Sequence, residues 1–212
     1  MPLSVREIQT PQGPARVHVE RPGRAAPTRG SLVLSHGAGG GVEAADLVAL
    51  RALVDDGWTY VRVEQPWRVA GRRIATPPRT LDAAWVPVLA ALCRGRWALP
   101  RPLVVGGRSA GARVACRTAS QVGADAVLAL SFPLVPPSGG PSRAHETQLV
   151  LDARLPLAVV QGQRDPFGTP DDVRTALGEA AAVYAVRGDH SFGRHPEDVL
   201  VATEGWLSAL TQ

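Results

Sequence analysis

Gly107-Arg108-Ser109-Ala110-Gly111 follows the apolar run Leu103-Val104-Val105 and leads into Ala112-Arg113-Val114-Ala115-Cys116. The order reads as a strand, a tight turn with a serine at its apex, and a helix. Such a turn strains the serine backbone, so its neighbours must be small. Gly107 and Gly111 let strand and helix approach. The amide of Ala110 then belongs to the helix N-terminus, where a developing oxyanion can be held. In a chain with 22 glycines a G-x-S-x-G motif alone decides little, so the pattern around it carries the argument.

Outward from this turn, apolar strands and amphipathic helices alternate. Residues 4–9 and 15–20 alternate in polarity around the turn 10–14 and read as an antiparallel hairpin. Buried strands are expected at 31–35, 59–63, 126–130, 157–160 and 181–186. Helices are expected at 43–56, at 81–93 with Thr80 as cap and a kink at Pro87, at 144–151, from Thr169-Pro170 to Gly178, and at 196–210. Continuous apolar strands imply that both faces of the sheet are covered. The expected fold class is therefore α/β: a mainly parallel, doubly wound sheet with an antiparallel N-terminal hairpin and helices on both faces. No linker or repeat divides residues 1–212, which read as one domain.

The 212 residues carry a net charge of +4, but no lysine and no asparagine. All 23 basic residues are arginine, a bias that GC-rich coding produces. No basic helix with interleaved aromatics is present, so nucleic acid is not an expected partner. No apolar stretch reaches membrane-spanning length, and the N-terminus lacks a basic segment followed by an apolar run. Cys93 and Cys116 both fall in helical patterns and read as reduced, semi-buried residues. These features predict a cytoplasmic enzyme with no membrane partner. They leave its oligomeric state open.

Three candidate catalytic residues follow strands, in the order Ser109, Asp165, His190. A serine hydroxyl is a poor nucleophile unless an imidazole takes its proton and a carboxylate fixes the imidazole tautomer. Asp189 is the rival acid, but as the neighbour of His190 it is better placed to bond loop amides. The glycine-rich run His36-Gly37-Ala38-Gly39-Gly40 follows an earlier strand. It can supply Ala38, with Gly39, as the oxyanion donor opposite Ala110. His36 itself reads as the residue that orients this run. The candidate substrate contacts are His36, Trp67, Arg72, Arg73, Arg108 and Phe132. The loop 67–79 also holds Arg68 and Arg79 and could recognise a carboxylate or phosphate. His18 reads as structural, and His145 and His195 as surface or loop residues. No histidine pair stands at metal-ligand spacing, so neither metal nor cofactor is expected.

These pieces, with Gly188-Asp189-His190-Ser191, resemble the α/β-hydrolase superfamily over essentially the whole chain. Within it they are most similar to a cap-less bacterial group related to testis-expressed protein 30 and to a subunit of the nonspecific-lethal histone acetyltransferase complex. Size and strand order are also similar to dienelactone hydrolases, which carry a cysteine where this chain has Ser109. The resemblance implies Ser109 as nucleophile, Asp165 as acid and His190 as base. It supplies no substrate.

Only residues 131–155 separate two strands where lidded hydrolases insert a cap, which allows a flap but not a helical cap domain, so an open site is expected. The sequence thus points to a serine hydrolase of a small acyl compound, an ester above all, with thioester and peptide cleavage open. A catalytically silent scaffold or binding module of the same fold is the alternative.

Overall fold

The computed structural model describes residues 3–23 and 26–211. The hairpin forms as β1 (Ser4–Thr10) and β2 (Gly13–Glu20). The remaining strands are β3 (Gly30–Ser35), β4 (Trp58–Glu64), β5 (Leu103–Arg108), β6 (Ala126–Leu130), β7 (Leu157–Gly162) and β8 (Ala182–Val186). All eight share one sheet in the order β1-β2-β4-β3-β5-β6-β7-β8. β2 pairs antiparallel with β1 and β4, and every later pair is parallel.

The helices are α1 (Ala45–Ala49), α2 (Pro66–Val69), α3 (Pro78–Leu92), α4 (Ala110–Thr118), α5 (Ala144–Asp152), α6 (Pro170–Leu177) and α7 (Pro196–Leu210). Successive strand residues point to opposite faces, which divides the core in two. Val33, Val105, Val127 and Val159 pack with Trp85 of α3, Val114 of α4, Val150 of α5 and Val173 of α6. Leu32, Leu34, Val104 and Leu128 pack with Leu47 of α1 and Trp206 and Leu207 of α7. Each buried large aliphatic side chain contributes about 1.5–3 kcal/mol relative to exposure. Both faces are thus paid for by the unbroken apolar strands.

Local details depart from the sequence reading. The helix expected at 43–56 is split, α1 tightening into a 3-10 turn at Leu50–Val54. Thr80 is not a cap: α3 starts earlier, with Pro77 at the cap position and Pro78 in its first turn, where a missing N–H costs nothing. Pro87 lies inside α3, which continues to Leu92. The sequence reading has no helix between β4 and α3, where the structure forms the single turn α2 with Pro66 in its first turn. Cys93 is exposed, whereas Cys116 is buried and its thiol is pushed up by that burial. Among the described residues, no helix is long and apolar enough to cross a membrane.

The topology fixes where a site can form. β3 lies between β4 and β5, so the loops leaving β3 and β5 turn to opposite faces and open a crevice at the carboxyl end of the sheet.

Candidate active site

Ser109 stands between β5 and α4 with φ 53° and ψ −108°. A left-handed φ at a non-glycine residue is held only by its surroundings. Here the Ser109 amide donates to the Leu130 carbonyl at 2.9 Å, and its carbonyl accepts from the Arg113 amide at 3.2 Å. The hydroxyl is thereby fixed above the strand ends, half-buried.

His190 Nε2 lies 2.8 Å from Ser109 Oγ. Its Nδ1 lies 2.8 and 3.0 Å from the two carboxylate oxygens of Asp165. A carboxylate only accepts, so Nδ1 carries the ring proton and Nε2 is left to accept from the serine hydroxyl. Asp165 is buried and held from behind. The Phe167 amide donates to Oδ1 at 2.9 Å, and Gln161 Nε2 donates to Oδ2 at 2.9 Å. The Phe167 ring lies 4.2 Å from the imidazole, centroid to centroid. Asp189 instead accepts from the amide and hydroxyl of Ser191, as its position beside His190 suggested.

Gln161 escaped the sequence reading. It is the penultimate residue of the apolar strand β7, and its fully buried Nε2 shares its two N–H groups among Asp165 and the carbonyls of Phe132 and Gly168. The available signal was a polar residue closing a buried parallel strand, immediately before the loop that carries the acid.

The glycine-rich loop after β3 reaches Ser109. A β-carbon on Gly37 would lie 3.3 Å from Ser109 Cβ, so only glycine allows this approach without displacement. Ala38 and Gly39 are exposed at the loop's tip, and Ala110 is half-buried at the start of α4.

Four of the residues read as substrate contacts are occupied within the protein. His36 is 2% exposed. Its Nδ1 lies 2.8 Å from the Gly37 carbonyl, and its Nε2 accepts from the Gln65 amide at 3.1 Å. Trp67 is buried and meets the His36 ring edge-on at 5.4 Å. Phe132 is fully buried in the core. Arg108 donates to the His190 carbonyl at 3.1 Å and approaches Asp46 at 3.4 Å. Burial claimed the aromatic pair and His36 for the scaffold, and an internal carboxylate claimed Arg108. Arg72 and Arg73 remain exposed on the loop after α2.

The segment between β6 and β7 forms no cap domain and is bonded down. Val135 donates to the Phe167 carbonyl at 2.8 Å, and Arg143 Nη1 to the Pro133 carbonyl at 2.9 Å. Leu134, Val135, Pro136, Asp165, Phe167 and Thr169 are among the residues lining a cleft of about 740 Å³. Among the described residues, no cluster of three histidine, cysteine, aspartate or glutamate side chains could hold a metal.

Burial holds the His36 imidazole below its ordinary value of 6.5. The unfolded chain therefore takes up a proton as the pH falls through 6.5, while the fold resists it. This stability is complete above pH 6.5 and is lost as the pH falls toward the folded value. The melting temperature is expected to drop from pH 7 to 5, and His36→Asn to flatten that slope, with His18, also lowered by burial, sustaining the remainder. An unchanged slope in His36→Asn would place the acid sensitivity elsewhere.

An elbow-mounted serine at a topological switch point, facing a histidine and an acid from later strand ends, defines the class of α/β hydrolases. The chain belongs to this family, whose alpha/beta hydrolase domain matches residues 28–209. No curated protein matches. Among solved structures, an alpha-beta serine hydrolase homologue from Coxiella burnetii superposes with a TM-score of 0.76 at 17% identity, over 100% of this chain and 99% of the other. A lidless serine hydrolase from Xanthomonas campestris gives 0.72 at 18% identity, over 97% and 96%. The esterase domain of a Rhodothermus marinus protein gives 0.70 at 16% identity, over 100% and 98%. At these identities the likeness is one of fold.

Proposed function

We propose that this chain is a serine hydrolase that cleaves a carboxylic ester or related acyl compound through an acyl-enzyme. The observation that carries the reading is the 2.8 Å contact of Ser109 Oγ with His190 Nε2, with His190 Nδ1 on the buried Asp165. His190 takes the hydroxyl proton as Ser109 Oγ bonds the acyl carbon. The carbonyl electron pair moves onto oxygen, and the amides of Ala110 and Ala38, with Gly39, donate hydrogen bonds to this oxyanion. Its collapse breaks the bond to the leaving group, which receives the proton from His190. Water, deprotonated by His190, then attacks the acyl carbon and releases Ser109. Asp165 holds the tautomer throughout.

The similarity of the motifs around Gly37, Ser109 and His190 supports a kinship with the cap-less bacterial group related to testis-expressed protein 30, and more distantly with dienelactone hydrolases. Its partner is a small acyl substrate. The short segment between β6 and β7 leaves no room for a cap domain over Ser109, which favours short or exposed acyl groups over buried lipid chains. Arg72 and Arg73 lie at the same end of the sheet and are available to an anionic group on the substrate. Unpaired cysteines suit a reducing compartment such as the cytoplasm.

The test is a series of p-nitrophenyl esters from acetate to octanoate. Turnover is expected, with kcat/KM highest for the short acyl groups, and an acyl adduct should be trapped at Ser109 by acid quenching. Absence of hydrolysis across the series overturns the ester assignment.

A further inference from the structure

Arg108 occupies the position before the nucleophile in the elbow motif, yet its guanidinium turns inward, with the side chain 12% exposed. Nη2 donates to the main-chain carbonyl of His190 at 3.1 Å. Nε lies 3.4 Å from Oδ2 of Asp46, a carboxylate 2% exposed at the start of α1. Neither Nε nor that Oδ2 has a hydrogen-bond partner, so each is the other's electrostatic complement. A β-carbon on Gly40 would lie 3.4 Å from Nη1. One side chain therefore links the elbow, α1 and the loop that carries the histidine, and Gly40 leaves it room beside the glycine-rich loop.

We propose that Arg108, anchored by Asp46, is a positioning residue that holds the His190 main chain so that its imidazole stays aimed at Ser109. The proposal rests on the hydrolase reading and adds a residue to it. Among the described residues, no main-chain amide of β8 or α7 donates to the His190 carbonyl, and exposed Asp189 and Ser191 flank it. A guanidinium is suited to the task because its planar fork addresses a carboxylate and a carbonyl in different directions at once. A lysine ammonium reaches one of them.

The test measures ester hydrolysis in Arg108→Gln, Arg108→Lys, Asp46→Asn and the double variant Arg108→Gln/Asp46→Asn. Misplacement of the imidazole by about 1 Å costs on the order of 10²-fold. Arg108→Gln is expected to lower kcat by about 10- to 100-fold with KM within about threefold. Arg108→Lys recovers part of the loss, and it serves also if the glutamine variant does not fold. The double variant falls no further than Arg108→Gln, because the pair acts as one unit. A raised KM with unchanged kcat would make Arg108 a substrate contact and overturn the proposal, as would multiplicative losses in the double variant.

A second readout does not depend on turnover. The carboxylate-bound Nδ1 proton of His190 should give a downfield NMR resonance that broadens in Arg108→Gln. Its persistence unchanged overturns the positioning role. Its loss in a chain that hydrolyses no ester upholds the role and sinks only the hydrolase reading.

Discussion

His190→Ala is expected to lower kcat/KM for a short p-nitrophenyl ester by about 10⁴- to 10⁶-fold, with KM nearly unchanged. At about 1.4 kcal/mol per tenfold, this removes ~5.5–8 kcal/mol of transition-state stabilisation. The size follows from the geometry. Without the imidazole at 2.8 Å, Ser109 has no proton acceptor, and the buried Asp165 has no ring to orient. The fold should survive. Asp165 keeps the Phe167 amide and the Gln161 side chain as donors. The His190 loop keeps the bonds Arg164 N–H to Gly188 O at 2.9 Å and Phe192 N–H to Asp189 O at 3.0 Å. Steady-state kinetics beside a thermal melt separate the two effects. A variant with activity within tenfold of wild type would remove His190 from the chemistry.

Gly111→Ala is expected to be among the most damaging single-methyl additions near the site. A β-carbon there would collide with the Ser35 carbonyl oxygen and lie 2.8 Å from the Ser35 carbonyl carbon and 3.0 Å from the His36 oxygen. All three atoms are backbone, so no flexible side chain can give way. Either α4 lifts from β3 or the glycine-rich loop moves off the nucleophile. Overpacking of this kind costs about 3 kcal/mol, which in a chain of this size lowers the melting temperature by roughly 6–12 °C. Ala112→Gly, one residue on, removes a methyl group and serves as the contrast. Its loss should come from helix propensity and a small cavity, without displacement of the loop. Differential scanning calorimetry with ester kinetics reads both. A Gly111→Ala variant that melts with wild type and retains activity would contradict the packing described at the elbow.

Much of this site was legible because its components are local. A serine between glycines after an apolar strand, and an acid and a histidine after later strands, place three groups at the same end of a parallel sheet through chain order alone. The glycine-rich run after β3 was legible for the same reason. What sequence hid was the inward or outward choice of individual side chains. Trp67 and Phe132 follow strands, where an aromatic can line a cleft or fill the core, and both filled the core. Arg108 read as a cation offered to substrate because Asp46 lies in a different element, brought beside it only by the β3–β5 pairing. Gln161 looked like the tail of a strand, and its role emerged only when Asp165, Phe132 and Gly168 closed around its amide. The split of the first helix and the early start of α3 lie at element boundaries, where tertiary packing outweighs propensity.

The central claim is that Ser109 is a nucleophile activated by His190. The most direct measurement is fluorophosphonate labelling of wild type and Ser109→Ala, with the modified peptide located by mass spectrometry. The account predicts a stoichiometric adduct on Ser109 in wild type and none in Ser109→Ala, which keeps the β-carbon and hence the elbow. Equal labelling of both, or no labelling of a folded wild type, would contradict it and favour a silent scaffold of the same fold.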